Sequence, residues 1–211
     1  MITSWKDMPL GVYAQVLDIN GLHISEDEKI IKTTALLAGM KEEELMTMPL
    51  LDSKELIAQT HFLYEKPKTR RARRSYKLGK KNYILMRDVY DMTTAQYINY
   101  QAIVQQPIEK SISNLMAIVL IPEGTKYGDT NENDVLDDIN NYLSVEDALS
   151  VADFFTRSFE KSIKRMLRYS DGMMTAAMIT AKKEDKEMIK AARTELRLVA
   201  EALRSAFGWS W

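Results

Sequence analysis

Apolar positions along this chain recur mostly at three- and four-residue steps, the period of a helix with one buried face. Leu10, Tyr13, Val16, Leu17 and Ile19 form the first such stripe. Pro9 suits the first turn of that helix, Asp7 is placed to cap it, and Gly21 ends it. Ser25 followed by Glu28 reads as a capping box. It opens a helix with Ile30, Ile31, Thr34, Leu37 and Ala38 inward, stopped at Gly39. Residues 41–45 (KEEEL) read as a helical turn. Pro49 breaks the chain, and Asp52 or Ser53 caps a helix through Leu56, Ile57, Thr60, Leu63 and Tyr64. Further helices are predicted over 93–105 and 109–121, followed by a loop over 122–133 rich in Gly, Pro and Asn. Ser144 with Asp147 opens a long helix to about Arg168, and the step Ser170-Asp171-Gly172 interrupts it. A final helix is predicted from Met173 to Phe207, where Met174, Ala177, Met178, Met188, Ile189, Ala192, Leu196 and Leu203 keep the helical period. At roughly 35 residues it extends about 50 Å. A small domain cannot cover such a helix fully, so part of its face is expected to meet another protein or another copy.

The period changes once. Over 65–88 the helical repeat disappears, and RRSYKLGKKNYILM offers strand-like alternation through Tyr76, Leu78, Tyr83 and Leu85 on either side of Gly79. A β-hairpin is the natural reading, with Gly79 supplying the positive φ of the turn. On its two sides the chain is loosely self-similar. WKDMPLGVYAQVLDI (5–19) aligns with VYDMTTAQYINYQAI (89–103), matching Asp7/Asp91, Met8/Met92, Tyr13/Tyr97 and Ile19/Ile103. Each copy continues into a second apolar helix and then a third, the order of elements expected of a repeated supersecondary unit. The predicted fold is therefore mainly α, with two loosely repeated helical units joined by a basic β-hairpin and long C-terminal helices. The expected divisions are a first helical unit at 1–65, the hairpin linker at 66–88, a second unit at 89–169, and the C-terminal helix with its tail at 170–211.

Composition narrows the class. The chain has 211 residues, 45% apolar and 28% charged, ordinary values for a globular protein with a real core. It has no cysteine, which excludes a disulfide framework and thiolate metal sites. No apolar run approaches the roughly 20 residues that cross a bilayer, so no membrane association is expected. MITSWKDMPLG lacks the charged and apolar regions of a signal peptide. Net charge is −1, but the charges are segregated. Residues 66–81 (KPKTRRARRSYKLGKK) are basic without an acid, and 123–153 is strongly acidic. Such blocks can pair within the chain, between copies, or with separate partners. The basic contact segment comprises Arg70, Arg71, Arg73, Arg74, Lys77, Lys80 and Lys81. The acidic one comprises Asp134, Asp137 and Asp138. In a ring or tube, the basic hairpin of one copy is expected to meet the acidic segment of the next.

Candidate chemistry is sparse. Asp129-x-Asn131-x-Asn133 opens like a calcium loop, but Asp134 stands where a glycine is wanted and Asn140 where a bidentate Glu is wanted. His23 and His61 have no ligand spacing around them. There is no phosphate-binding glycine loop and no nucleophile elbow. The expectation is no catalytic residue, no metal and no cofactor. The C-terminus, Phe207-Gly208-Trp209-Ser210-Trp211, carries a sharper signal. Large aromatics commonly anchor interfaces, so Phe207, Trp209 and Trp211 are candidate partner-binding residues.

The segments DMPLGVYAQVLDI, EDEKIIKTTALLAGMKEEELMTMPL and YKLGKKNYILMRDVYDMTTAQYINY carry a resemblance. The short hairpin at 73–86, the lead Asp91-Met92-Thr93, the helix element Gln96-Tyr97 and the helix end Gly39-Met40-Lys41-Glu42-Glu43-Glu44-Leu45 are similar to small phage assembly proteins. In style they resemble especially tail-assembly-chaperone-like and related structural proteins of phages infecting Bacteroides-type hosts. It covers roughly residues 5–110. The resemblance implies a non-enzymatic phage structural or assembly protein in a tail, neck ring or virion, acting by protein–protein contacts. It implies assembly in the host cytoplasm, a homo-oligomer, and other phage structural proteins as partners. The alternative reading is a nucleic-acid-associated protein, insensitive to base sequence, that uses the 66–81 segment.

Overall fold

The computed structural model describes residues 1–88, 91–104, 106–180, 185–192 and 194. The chain is mainly helical with one small antiparallel sheet. It divides into two compact units, residues 1–155 and 156–211.

The first unit opens with α1 (Leu10–Asn20), α2 (Glu26–Ala38), α3 (Glu42–Thr47) and α4 (Leu50–Gln59), which runs into a 3₁₀ turn at Thr60–Tyr64. The hairpin β1 (Ser75–Leu78) and β2 (Lys81–Leu85) follows, then α5 (Thr94–Val104) and α6 (Ile108–Val119). Next come β3 (Leu120–Pro122), α7 (Glu132–Tyr142) and α8 (Val145–Thr180). The residues of α8 through Phe155 belong to the first unit and the remainder to the second.

Local signals set several boundaries as expected. Ser25 Oγ accepts from the Glu28 N–H, and the Glu28 carboxylate accepts from the Ser25 N–H, a complete capping box on α2. Gly39 closes α2 at φ +69°. Thr93 and Gln96 make the same reciprocal exchange on α5. Gly79 turns the hairpin at φ +58°. Tyr76, Leu78, Tyr83 and Leu85 alternate inward as predicted.

Other boundaries differ, each for a visible reason. Asp7 does not cap α1: its carboxylate accepts from Ser4 Oγ, and Pro9 itself is the capping residue in extended geometry. Neither Asp52 nor Ser53 caps α4, which begins at Leu50 directly after Pro49. The helix expected over 109–121 stops at Val119. Leu120 and Ile121 pair with Leu85 and Ile84 and add a third strand to the hairpin. The interval 122–133 is a loop only to Asn131, whose side chain caps α7 by accepting from the Asn133 N–H. The step at 170–172 does not break α8, which continues to Thr180. One internal glycine costs about 1 kcal/mol relative to alanine, which a long helix absorbs. Of the final helix predicted over 173–207, residues 173–180 lie in α8 and 185–192 are helical. Phe207, Trp209 and Trp211 lie outside the described residues.

The divisions expected near 65, 88 and 169 do not coincide with the observed one. The N-terminal lead-in is tied to the α7–α8 junction: Leu10 N–H donates to Leu143 O, and Val145 N–H donates to Met8 O. Trp5 donates to Glu65 O at 2.9 Å and packs edge-on against Tyr13 and Phe62. The hairpin is not a linker, because its inward residues join the same core as Met8, Leu10, Met116, Val119, Leu120, Ile139, Leu143 and Phe155. The helix α6 buries Ile112, Leu115, Met116, Ile118 and Val119 and sits centrally among α1, α5 and α7. The helix α1 approaches α7 so closely that a Cβ on Gly11 would lie 3.0 Å from Asn140 O. The pairs α1–α2 and α5–α6 recur in order and nearly in length. Their aligned residues differ in setting, since Met8 is fully buried and Met92 is not, and Tyr97 is more exposed than Tyr13.

Candidate interaction surfaces

Residues 66–73 form neither helix nor strand, and their backbone is tied to α8 where the Arg70 N–H donates to Ser150 Oγ at 3.0 Å. Arg70 Nε then lies 2.6 Å from Glu146 Oε1, and Arg73 pairs with Asp147. The Arg73 guanidinium also sits over the Tyr76 ring, 5.0 Å from its centre. At the hairpin turn, Lys81 Nζ lies 2.8 Å from Asp138 Oδ2, and the Tyr83 hydroxyl donates to the same oxygen at 2.7 Å. Tyr142, at the end of α7, stacks against Gly79.

These contacts correct the expected pairing between copies. Lys81, Arg70 and Arg73 meet Asp138, Glu146 and Asp147 of the same chain. The sheet packs against α7, and the segment before β1 meets the start of α8, so the two blocks are neighbours in one fold. The electrostatics agree. Burial pushes the Asp138 carboxyl up, but the hydrogen bonds from Lys81 and Tyr83 outweigh it and hold the group below its ordinary value. The Lys81 ammonium is raised, chiefly by its hydrogen bond to Asp138. Burial first, and Asp138 second, push the Tyr83 hydroxyl up strongly.

What remains of the predicted contact segments is unpaired. Asp134 and Asp137 are exposed and make no ion pair among the described residues, nor do Lys77 and Lys80. Arg71 and Arg74 also have no acidic partner there. With Arg73 and Arg87 they line a groove of about 560 Å³ whose apolar walls are Leu85, Met86 and Phe154. The positions Arg87, Leu85, Met86 and Phe154 were not legible as site residues. They come from the second strand, the residues after it and α8, and only the fold brings them to the arginines.

A second surface lies at the α3–α4 corner. Met46, Leu50 and Leu51 are 69%, 70% and 70% exposed. The helix α4 contains no fully buried residue. Glu43 and Asp52 stand exposed on the same two helices, Glu44 is exposed with its carboxylate accepting from the Lys41 N–H, and Glu42 is engaged by Lys32 at 2.7 Å. The sequence signal was present in EEELMTMPLLD, where apolar residues stand without a helical period beside a run of carboxylates.

The remaining candidates are occupied by local structure. Asp129 accepts from the Lys126 N–H and Asn131 caps α7, so both oxygens of the calcium-like stretch serve the backbone. The exposed His61 ring packs edge-on to Tyr64. Among the described residues, no three His, Asp or Glu side chains converge as a metal site. No described helix is long and apolar enough to cross a membrane. Comparison of the chain with protein-family models, curated proteins and solved structures finds no match.

Proposed function

We propose that this chain is a structural or assembly protein of a bacteriophage particle, working through protein–protein contacts. The observation that carries the contact reading is the α3–α4 corner. Three large apolar side chains stand about two-thirds exposed within six residues, and α4, which carries two of them, has no fully buried residue. Isolated exposed apolar residues are ordinary, but a contiguous patch rimmed by charge marks an interaction site. The phage assignment rests on the likeness of the 5–110 segments to small phage assembly proteins. Assembly in the host cytoplasm and a place in a tail, neck ring or virion follow from that likeness.

The test is light-scattering-coupled size exclusion of the full chain over a wide concentration range. The wild type is expected to form discrete assemblies. The variant M46S/L50S/L51S is expected to run as a monomer with an unchanged thermal midpoint. A strict monomer at every concentration, with no change on altering the corner, overturns the reading.

One observation favours a second reading, association with nucleic acid. Arg71, Arg74 and Arg87 line one groove and make no ion pair among the described residues. Neutralising three phosphates of a single strand gives a slope of log affinity on log salt of about −2. Binding of oligo(dT) with that slope, lost in R71E/R74E, would support it.

A further inference from the structure

Two surfaces of this chain are complementary and unused by each other. The groove carries Arg71, Arg74 and Arg87 around Leu85 and Phe154. The α3–α4 corner carries Met46, Leu50 and Leu51 beside Glu43, Glu44 and Asp52. Within one copy the corner packs against α2, and no corner residue lines the groove. From the match of charge and of apolar content, we infer that the groove of one copy receives the α3–α4 corner of a second copy. This deepens, and rests on, the protein-contact reading by naming the partner.

The chemistry of both sides favours this occupant. An arginine fork binds carboxylates bidentately, and carboxylates at the edge of an apolar patch suit a groove with arginines at its rim and Leu85 and Phe154 in its walls. A polyanion suits it less well. The protein is net −1, and Asp134 and Asp137 stand exposed and without an ion pair among the described residues on α7, the helix packed against the hairpin. A long phosphate backbone leaving the groove would meet that acidic face, whereas a short acidic corner ends where the arginines end. Groove and corner are different patches of one surface, so the contact runs head-to-tail unless two copies satisfy both pairings reciprocally in a closed dimer. Repetition of such a contact gives a ring if the rotation closes and a filament if it does not.

A contact between two different patches has a signature that an interface of one patch with itself does not share. Disable the groove with R71E/R74E, and the corner with E43K/L50S/L51S, all at exposed positions. Each variant alone lacks one half of every contact and should be monomeric. An equimolar mixture retains one live corner and one live groove. It should form a one-to-one dimer and nothing larger, and that dimer should weaken at least tenfold as salt rises from low to physiological strength. Thermal midpoints equal to wild type establish that both variants fold. A mixture in which no heterodimer forms even at concentrations far above those at which the wild type assembles overturns the inference. So does R71E/R74E alone assembling like wild type. If assembly then still depends on the corner, the protein-contact reading stands and only the groove is excluded as its receptor. A wild type that never self-associates but binds oligo(dT) through Arg71 and Arg74 overturns both.

Discussion

Replacing Asp138 by alanine tests whether the two charged blocks belong to one fold or to an interface. Tyr83 is fully buried, and its hydroxyl donates to Asp138 Oδ2 at 2.7 Å. Asp138→Ala leaves that hydroxyl unpaired in the core, a cost of about 1–3 kcal/mol. Tyr83→Phe removes the donor but leaves Asp138 its contact with Lys81 and solvent, and should cost about 1 kcal/mol. With the hydroxyl already gone there is nothing to orphan, so Asp138→Ala should cost less in the Y83F background. The expected coupling is about 1–2 kcal/mol. Asp138→Asn keeps an acceptor and should lie between wild type and Asp138→Ala. The assay is urea unfolding of the wild type, the singles and the double by circular dichroism. The pH dependence gives a second handle. The native Asp138 carboxyl is held below its ordinary value, so its stabilisation is present above the unfolded value and lost as pH falls through the native one. Wild type should therefore lose its advantage over Asp138→Asn below about pH 4. The Lys81 ammonium is raised, so its share persists below the unfolded value and is lost as pH rises through the native one, above about pH 10. Strict additivity of the two single substitutions would falsify the claim that this hydrogen bond ties the hairpin to α7. Loss of assembly at unchanged monomer stability would place the pairing between copies after all.

Gly79→Ala should destabilise by about 1–2 kcal/mol from its left-handed backbone alone. It should cost further because the new Cβ would come within 2.8 Å of the Tyr142 ring; a Tyr142→Ala background should recover only the second part, read as a shift of the urea midpoint. Thr34 is fully buried in α2, and its Oγ1 has no hydrogen-bond partner among the described residues. Thr34→Val, close in shape and without the hydroxyl, should raise stability by about 1 kcal/mol, and a loss on calorimetric melting would show that the hydroxyl has a partner. Ser25→Ala removes one half of the capping box on α2 and should cost about 1 kcal/mol, with early amide exchange confined to residues 26–29.

The elements that the sequence announced are those whose cause is local. Ser25 with Glu28, Gly39, Gly79 and the alternation of Tyr76, Leu78, Tyr83 and Leu85 each act within a few residues, and each structure they predict is present. The misreadings share a different cause. Leu120 and Ile121 continue the apolar stripe of α6, yet they are a strand because β2 offers them an unpaired edge 35 residues away. Asp7 has the chemistry of a cap, but the lead-in is held by Leu143 and Val145, and that fixes the entry to α1 at Pro9. The divisions at 65 and 88 followed changes of composition, whereas compactness follows which residues share a core. A basic linker and a basic strand pair look alike until Tyr83 is seen to be fully buried.

The candidate surfaces show the same division between what a chain contains and what its fold leaves over. Charge segregation was legible in the sequence, but its partner was not, since complementary blocks are as consistent with one fold as with two copies. The structure engages Arg70, Arg73 and Lys81 internally and leaves Arg71, Arg74 and Arg87 unengaged beside apolar walls. It likewise leaves Met46, Leu50 and Leu51 outside any core. Full burial of a large apolar side chain contributes about 1.5–3 kcal/mol, so these three offer at most roughly 5–9 kcal/mol. Association of two copies costs about 4–15 kcal/mol in lost translational and rotational freedom and further ordering. A single groove–corner contact is thus marginal even with its arginine–carboxylate pairs, most of which remain partly solvated and screened. Closing a ring changes that balance. The last contact forms between ends already held together, at a high effective concentration and with little new loss of freedom. On the proposed contact, the chain is expected to stay as single copies at low concentration and to assemble steeply once enough copies can close.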